Sequence, residues 1–468
     1  MAVTLVVWNV ETFGDRWNAA RGADYVPVCN FMAQALHAAN ADILVMMELR
    51  RSGSQYLPTL RTALHQLDNA TWTFDFIPGS VVNKDPEAAL TLGYTLEGHA
   101  EGYAVFWRTD HQEFQVLTTR EAHSGRIADK HSRIDLVLSG RSSNPNSLSK
   151  QGWYNAPCFD PAHPPAPWLR LDFPAPKPNV HGGTRWNLAR RPCYFVLRLD
   201  RPGEQGNQLL PVVVYHAPLG HMSTAWGVQL SGYSTGLYQA DDTGEPGVTM
   251  VSVNQAIMAG DFNVDYNDRD DKDHDAYLVF TNFFGKGGAS LLNVWVNSDN
   301  PADNYTAVRL SNGRQPIMSD NVNDYRYLAI DNLFSRGLNA VEPPAAYGGP
   351  VYNLLGGLRQ GGFLVNSPAK RAVIQSFRNA IITALGNPLN PGFENYPHIC
   401  PKNKTPSKTR KREVDSDYYV GPVIGGLHDY NAYLTDLNNG HFTSARRAAE
   451  FYRNSISDHL PVVYRFTI

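Results

Sequence analysis

Five short stretches of the chain set a side chain able to do chemistry against the end of an apolar run. They are Asn9 in Trp-Asn-Val-Glu-Thr-Phe-Gly, Glu48 in Met-Met-Glu-Leu-Arg, and His216 in Tyr-His-Ala-Pro. Next come Asp261 and Asn263 in Ala-Gly-Asp-Phe-Asn-Val-Asp, and Asp458–His459 in Ser-Asp-His-Leu-Pro-Val. Carboxylates suit hard cations. Imidazoles move protons near neutrality, and amides donate and accept without adding charge. A lone polar residue closing a strand is ordinarily a turn former. Five of them at strand ends, where α/β sheets place their sites, are hard to explain as turns.

The elements that must position these residues are legible as pattern. Residues 2–10 read as a buried strand, followed by an amphipathic helix over 26–39 and a strand over 43–48. A second helix is expected over 55–68. Further strands are expected at 72–77, 103–108, 193–200, 210–215, 256–261, 327–334 and 460–467, each rich in Val, Ile, Phe and Tyr and bounded by turn residues. Helical pattern recurs near 275–284, 368–385 and 441–453. Strands interleaved with helices predict a layered α/β protein.

Two stretches interrupt that rhythm and read as insertions. Residues 141–187 are rich in Pro, Gly, Asn and Ser, which suits an irregular surface segment such as a lid. Residues 340–440 hold one helical pattern and a basic run at Lys402, Lys404, Lys408, Arg410, Lys411 and Arg412. That run could grip a phosphate backbone or be a disordered loop, and the second is favoured.

Bulk properties narrow the class. The chain has 468 residues, 43% hydrophobic, ample for a packed interior. Its formal net charge of -3 gives no global attraction to a polyanion, so a nucleic-acid footprint must be a local patch. Cys29, Cys158, Cys193 and Cys400 are widely spaced and read as buried free thiols, with one disulfide as the alternative. The N-terminus lacks a basic region before its short apolar run and reads as a strand, not a signal peptide. No run has the length of a membrane span. Cytoplasmic synthesis is therefore expected, with signal-less export left open.

In their order along the chain, the five motifs resemble the endonuclease/exonuclease/phosphatase superfamily. The likeness spans Val3 to the last strand, with the insertions set inside. Gly-Asp-Phe-Asn and Ser-Asp-His are specific for the superfamily. Asn-Val-Glu-Thr-Phe-Gly around Asn9, and Glu101 opening Glu-Gly-Tyr-Ala-Val-Phe-Trp-Arg, are similar to the deoxyribonuclease-I-like branch. Asp331 in Leu-Ala-Ile-Asp-Asn-Leu-Phe matches a histidine-orienting aspartate.

The resemblance implies a four-layered α/β sandwich: two facing mixed sheets flanked by helices, one catalytic domain over 1–468. It implies cleavage of a phosphodiester, most naturally in DNA and also RNA. Glu48, Asp458 and Asn9 would hold Mg²⁺ or Mn²⁺. His216 and His459 would serve as general base and acid, oriented by Glu101 and Asp331 respectively. Asp261, assisted by Asn263, would position or deprotonate water or share the metal. One of Arg190 and Arg191 would contact a phosphate; a solvated surface pair is the alternative.

His99 stands where the nuclease branch has a tyrosine. The insertions could narrow the cleft, recruit a protein inhibitor or partner, or choose the substrate. The acidic stretch Asp265–Asp275 could hold a structural Ca²⁺, but it lacks the glycine and final glutamate of a calcium loop. A solvated loop capping the next helix is favoured. The runner-up activity is a lipid or small-molecule phosphodiesterase or phosphatase, sphingomyelinase-like. A catalytically dead binding module is disfavoured because every expected position is filled.

Overall fold

The computed structural model describes residues 2–13, 26–49, 53, 55–78, 102–111, 113–118, 193–199, 208–217, 237–239, 249–251, 255–263, 265, 292–296, 304–312, 315–341, 349–360, 432, 435–436, 439 and 441–467. Glu101, Arg190, Arg191, the 141–187 insertion, the basic run and nearly all of the acidic stretch lie outside these residues. So do the helical patterns at 275–284 and 368–385. Of the 340–440 stretch, 349–360 and a few later residues are described, and its first two residues belong to a strand.

Two six-stranded mixed sheets carry the molecule. The first contains β1 (Ala2–Phe13), β2 (Ile43–Leu49), β3 (Trp72–Pro78) and β4 (Gly102–Arg108). The second begins with β5 (Phe114–Thr118), β6 (Cys193–Leu199) and β7 (Gln208–His216). It continues with β8 (Ala256–Asp261), β9 (Leu292–Val294) and β10 (Asp331–Arg336). The chain returns to the first sheet with β11 (Asn339–Val341) and β12 (Val462–Thr467). The orders are β11-β12-β1-β2-β4-β3 and β9-β10-β8-β7-β6-β5.

Each sheet has one parallel pair, β1/β2 and β7/β8, while the other ladders are antiparallel. These parallel strands are the most uniformly apolar, because parallel strands are covered on both faces. Every residue of β8 is buried, and so are Ile43–Met47 of β2. Ile257 and Ala259 join the core between the sheets. Ala256 and Met258 pack on the opposite face with Tyr215, Phe262 and Phe334. That is the two-residue period of a strand sorting one sequence onto two faces. Each aliphatic side chain buried this way stabilises by about 1.5–3 kcal/mol.

Helices α1 (Val26–Ala38), α2 (Leu57–Asp68) and α4 (Ala445–Ser455) join the core of the first sheet. The Phe31 ring of α1 lies 6.0 Å from Phe451 of α4. A shorter helix, α3 (Leu354–Gln360), packs on α4. A proline in the first turn starts α2, and Asn69 ends it in the left-handed conformation at φ 50°. Ser444 caps α4, its side chain accepting from the Arg447 amide. Two facing mixed sheets, with the described helices packed on the first, have the architecture expected of the α/β sandwich.

Most expected elements stand within a few residues of their pattern. The run at 327–334 differs: it divides into Arg326–Tyr327 and β10, because Leu328 adopts φ 55° and breaks the extended chain. Cys29 and Cys193 are buried, and the Cys29 thiol donates to the Tyr56 carbonyl. Among the described residues no helix is long and apolar enough to cross a membrane.

Candidate active site

The two parallel pairs end at the same edge of the sandwich, and the chemistry is built there. In the second sheet His216 of β7 is the rung partner of Asp261 in β8, and Asp261 is the rung partner of Asp331 in β10. Three functional side chains thus stand in one row across adjacent strands. In the first sheet Asn9 ends the regular part of β1 opposite Met47, and Glu48 follows on β2. Both β2 ladders shift register in this region. Glu48 takes up the irregularity at φ 59°, a conformation costing a non-glycine residue on the order of 1–2 kcal/mol. A bulge of this kind re-aims a side chain at a sheet edge, and here it turns Glu48 toward the second sheet.

The sheets meet through these side chains. Asn9 Nδ2 donates to Glu48 Oε1 at 3.1 Å and to Asp261 Oδ2 at 2.9 Å. Its Oδ1, the atom expected to help hold a cation, accepts from the Glu11 amide. Asn9 therefore orders the carboxylates through its nitrogen. His216 Nε2 lies 3.0 Å from Glu48 Oε1 and 3.6 Å from Asp261 Oδ2. His459 Nε2 lies 3.7 Å from the same Asp261 oxygen, and its Nδ1 is 2.7 Å from Asp331 Oδ2. Asp458 Oδ1 stands 3.6 Å from His459 Nε2. Asn263, at φ 54°, donates its backbone N–H to Asp261 Oδ1 and its side-chain amide to the Ala217 carbonyl.

Glycine is required just before Asp261. Gly260 has φ +147°, and a Cβ there would fall 1.8 Å from the Tyr215 carbonyl oxygen. The Gly of Gly-Asp-Phe-Asn thus lets β8 approach β7 at the rung before His216 and Asp261.

Several supporting residues escaped the sequence reading. Ser457 Oγ donates to the Asn9 carbonyl and accepts from the His459 amide, tying β1 to the Ser-Asp-His segment. Trp8 Nε1 and the Tyr452 hydroxyl both donate to the His459 carbonyl. The Tyr103 hydroxyl accepts from the His216 amide, and Thr306 Oγ1 accepts from that of Asp331. The serine, Trp8 and Tyr103 stood inside their motifs; Thr306 acts over a long separation and had no local mark.

Burial, then the Asp331 charge, push Asp261 up to about 6, against the pull of both histidines. Burial works against ionisation of Glu48, but the His216 charge and bonds from His216 and Asn9 outweigh it and hold this carboxyl well below its usual range. Burial also works against a charged His459. Asp331, Asp261 and Asp458 overcome it and lift the imidazole well above its ordinary value.

The donor set fits a hard divalent cation. Ligand atoms of Glu48, His216 and Asp261 lie within 4.8 Å of one another, as do those of Asp261, Asp331 and His459. Asp458 Oδ1 is buried with no hydrogen-bond partner among the described residues. The charged His459 imidazole 3.6 Å away offsets part of that burial cost, and a divalent cation would offset more. Carboxylate oxygens outnumber imidazoles at the centre, the balance that Mg²⁺ or Mn²⁺ prefers.

An α/β sandwich of two facing sheets, with a carboxylate–imidazole centre where the sheets meet at one edge, is the class defined by fold and site. A family model described as the endonuclease/exonuclease/phosphatase family matches residues 6–341, and the chain belongs to that family. Asp458 and His459 lie beyond the matched stretch and are brought to the same centre by the fold. No curated protein matches the chain. Solved structures similar to it include a family protein from Bacteroides thetaiotaomicron (14% identity, 73% of this chain and 87% of that one, TM-score 0.34). Another is a mannosyl-6-phosphatase from the same organism (15%, 73% and 91%, 0.34). A third is D. rerio TDP2 complexed with a single-strand DNA product (12%, 72% and 84%, 0.32).

Proposed function

We propose that the chain is a divalent-metal-dependent phosphodiesterase and that its substrate is nucleic acid, DNA in the first place. The observation that carries this reading is the convergence of two imidazole Nε2 atoms on one oxygen of Asp261, beside Glu48 and Asp458. Cleaving a phosphodiester needs an oriented water, charge on the phosphoryl oxygens and a proton for the leaving oxygen.

Glu48 and Asp458 would hold Mg²⁺ or Mn²⁺, with Asp261 next to them. When bound, the cation supplies Lewis-acid neutralisation of the phosphoryl charge. Asp261, 3.6 Å from His216 and 3.7 Å from His459, orients the attacking water. His216, in its neutral form, takes its proton. His459, kept charged by Asp331, returns a proton from Nε2 to the leaving oxygen. Asn9 and Asn263 fix the carboxylates, so the site needs little reorganisation during reaction. Glu101 orients His216, and Arg190 or Arg191 contacts a flanking phosphate.

Supercoiled plasmid is the direct test, with Mg²⁺ or Mn²⁺, with EDTA, and beside His216→Ala. Metal-dependent nicking absent from the variant supports the reading. Failure of the intact protein to nick plasmid or cut RNA overturns it and directs attention to sphingomyelin and inositol phosphates.

A further inference from the structure

Arg309, two residues after the Ala307–His459 bridge, lines an open cavity of about 520 Å³. Its walls include Tyr305, Arg309, Asn312, Asn321, Asn323 and Arg326. Arg326 is 3% exposed and built in: its Nε donates to the Tyr305 carbonyl at 3.0 Å and its Nη1 to Asn323 Oδ1 at 3.4 Å. Arg309 is held flat, its guanidinium 5.0 Å from the centre of the Tyr327 ring. Its Nη1 reaches Asn312 Oδ1 at 3.3 Å, and its Nε is buried with no acceptor among the described residues. One carboxylate, Asp324, shares the wall and accepts from the Ser319 hydroxyl. Two guanidiniums against one carboxylate leave the cavity cationic, and its neutral lining is largely amide.

The cavity is coupled to the catalytic edge. Ala307 bridges His459, the Val308 amide donates to the Asp458 carbonyl at 2.7 Å, and Arg309 is the next residue.

We propose that this cavity is a subsite for a second phosphate of the substrate strand, with Arg309 as its principal ligand. The assignment rests on the nucleic-acid reading above. A planar guanidinium pinned over an aromatic ring at a cavity wall presents a fixed fork of donors suited to phosphate oxygens.

The test is fluorescence anisotropy of a labelled single-stranded oligonucleotide in EDTA over a range of NaCl concentrations. Arg309→Met weakens binding about tenfold and lowers the slope of log affinity against log salt by about one. Asn321→Asp keeps the oxygen that accepts from the Asn323 amide and adds a negative charge at the mouth, so it weakens binding several-fold without loss of fold. Arg61→Met removes a positive charge on α2 over Phe74 and leaves affinity within about twofold, excluding a bulk charge effect. Cleavage by the intact protein, with Arg309→Met and Asn321→Asp binding like it, overturns the subsite alone. So does an equal loss in Arg61→Met. Failure of the intact protein either to bind or to cut nucleic acid overturns the nuclease reading and the subsite with it.

Discussion

His459 Nδ1 and Asp331 Oδ2 lie 2.7 Å apart, and the pair spans the two sheets: Asp331 opens β10 of the second, while His459 leads into β12 of the first. The contact fixes which imidazole nitrogen faces Asp261 and keeps the ring charged although it is buried. Asp331→Asn keeps a hydrogen-bonding side chain but removes the charge. We expect hydrolysis to fall on the order of 10²–10⁴-fold. The sign for pH follows from the cause: without Asp331 the His459 pKa drops, so the alkaline limb of the rate profile moves to lower pH. An unmoved alkaline limb in the variant would count against His459 as the proton donor.

Crowded carboxylates at one edge repel one another until a cation joins them. Mn²⁺ or Mg²⁺ should raise Tm, and EDTA should reverse the gain. With metal at a hundred times its Kd the gain is about 2.7 kcal/mol. Glu48→Gln should lose most of that response in thermal denaturation, together with on the order of 10²-fold in rate. A Glu48→Gln protein that responds to metal like the parent would remove Glu48 from the ligand set.

Gly260→Ala tests the close approach of β8 to β7. A Cβ 1.8 Å from the Tyr215 oxygen cannot be accommodated without moving a strand. We expect a loss of about 3 kcal/mol or more in urea unfolding. A loss under about 1 kcal/mol would mean the strands can part at no structural expense.

Tyr464 ties β12 to β10 by donating to Ser335 Oγ at 2.8 Å, and burial pushes its hydroxyl up to about 12. A raised folded pKa gives stability that is fully present below the unfolded value near 10 and lost as pH climbs through 12. Two pKa units correspond to about 3 kcal/mol. Tyr464→Phe should lose about 1 kcal/mol at neutral pH and show a shallower decline between pH 10 and 12. Tyr325, also pushed up to about 12 by burial, keeps part of that decline in the variant. Unfolding curves across that range decide the matter, and an unchanged slope would refute it.

The strands that carry the site were legible because their physics is local. β1, β2, β7 and β8 carry apolar runs, rich in valine in β1 and β7, that are interrupted by a polar residue, and the interruption is where the site stands. The seams were not legible. Nothing near Leu328 marks a left-handed residue, and β9 and β11 are three residues long, too short to show a period. The Phe-Gln-Val-Leu-Thr run of β5 is only five residues long, and its adjacent Val116 and Leu117 break the alternation that marks a strand. Helix α4 starts at Ala445 and not at 441, because the Ser444 side chain supplies the cap. Contacts such as Tyr103 to His216, or Asn9 to Asp261, depend on how two sheets are stacked. That stacking is a property of the whole core, which no window of sequence contains.

β1 and β12 lie side by side with Ala2 opposite Thr467, so two strands more than 400 residues apart in this sequence complete one ladder. On the ribosome, every other strand of both sheets exists before β12 does. A growing chain carries Glu48, His216 and Asp261, yet it has neither Asp458 nor His459, and β1 has an open flank. The centre is complete only when the Asp458–His459 segment and β12 have docked beside β1.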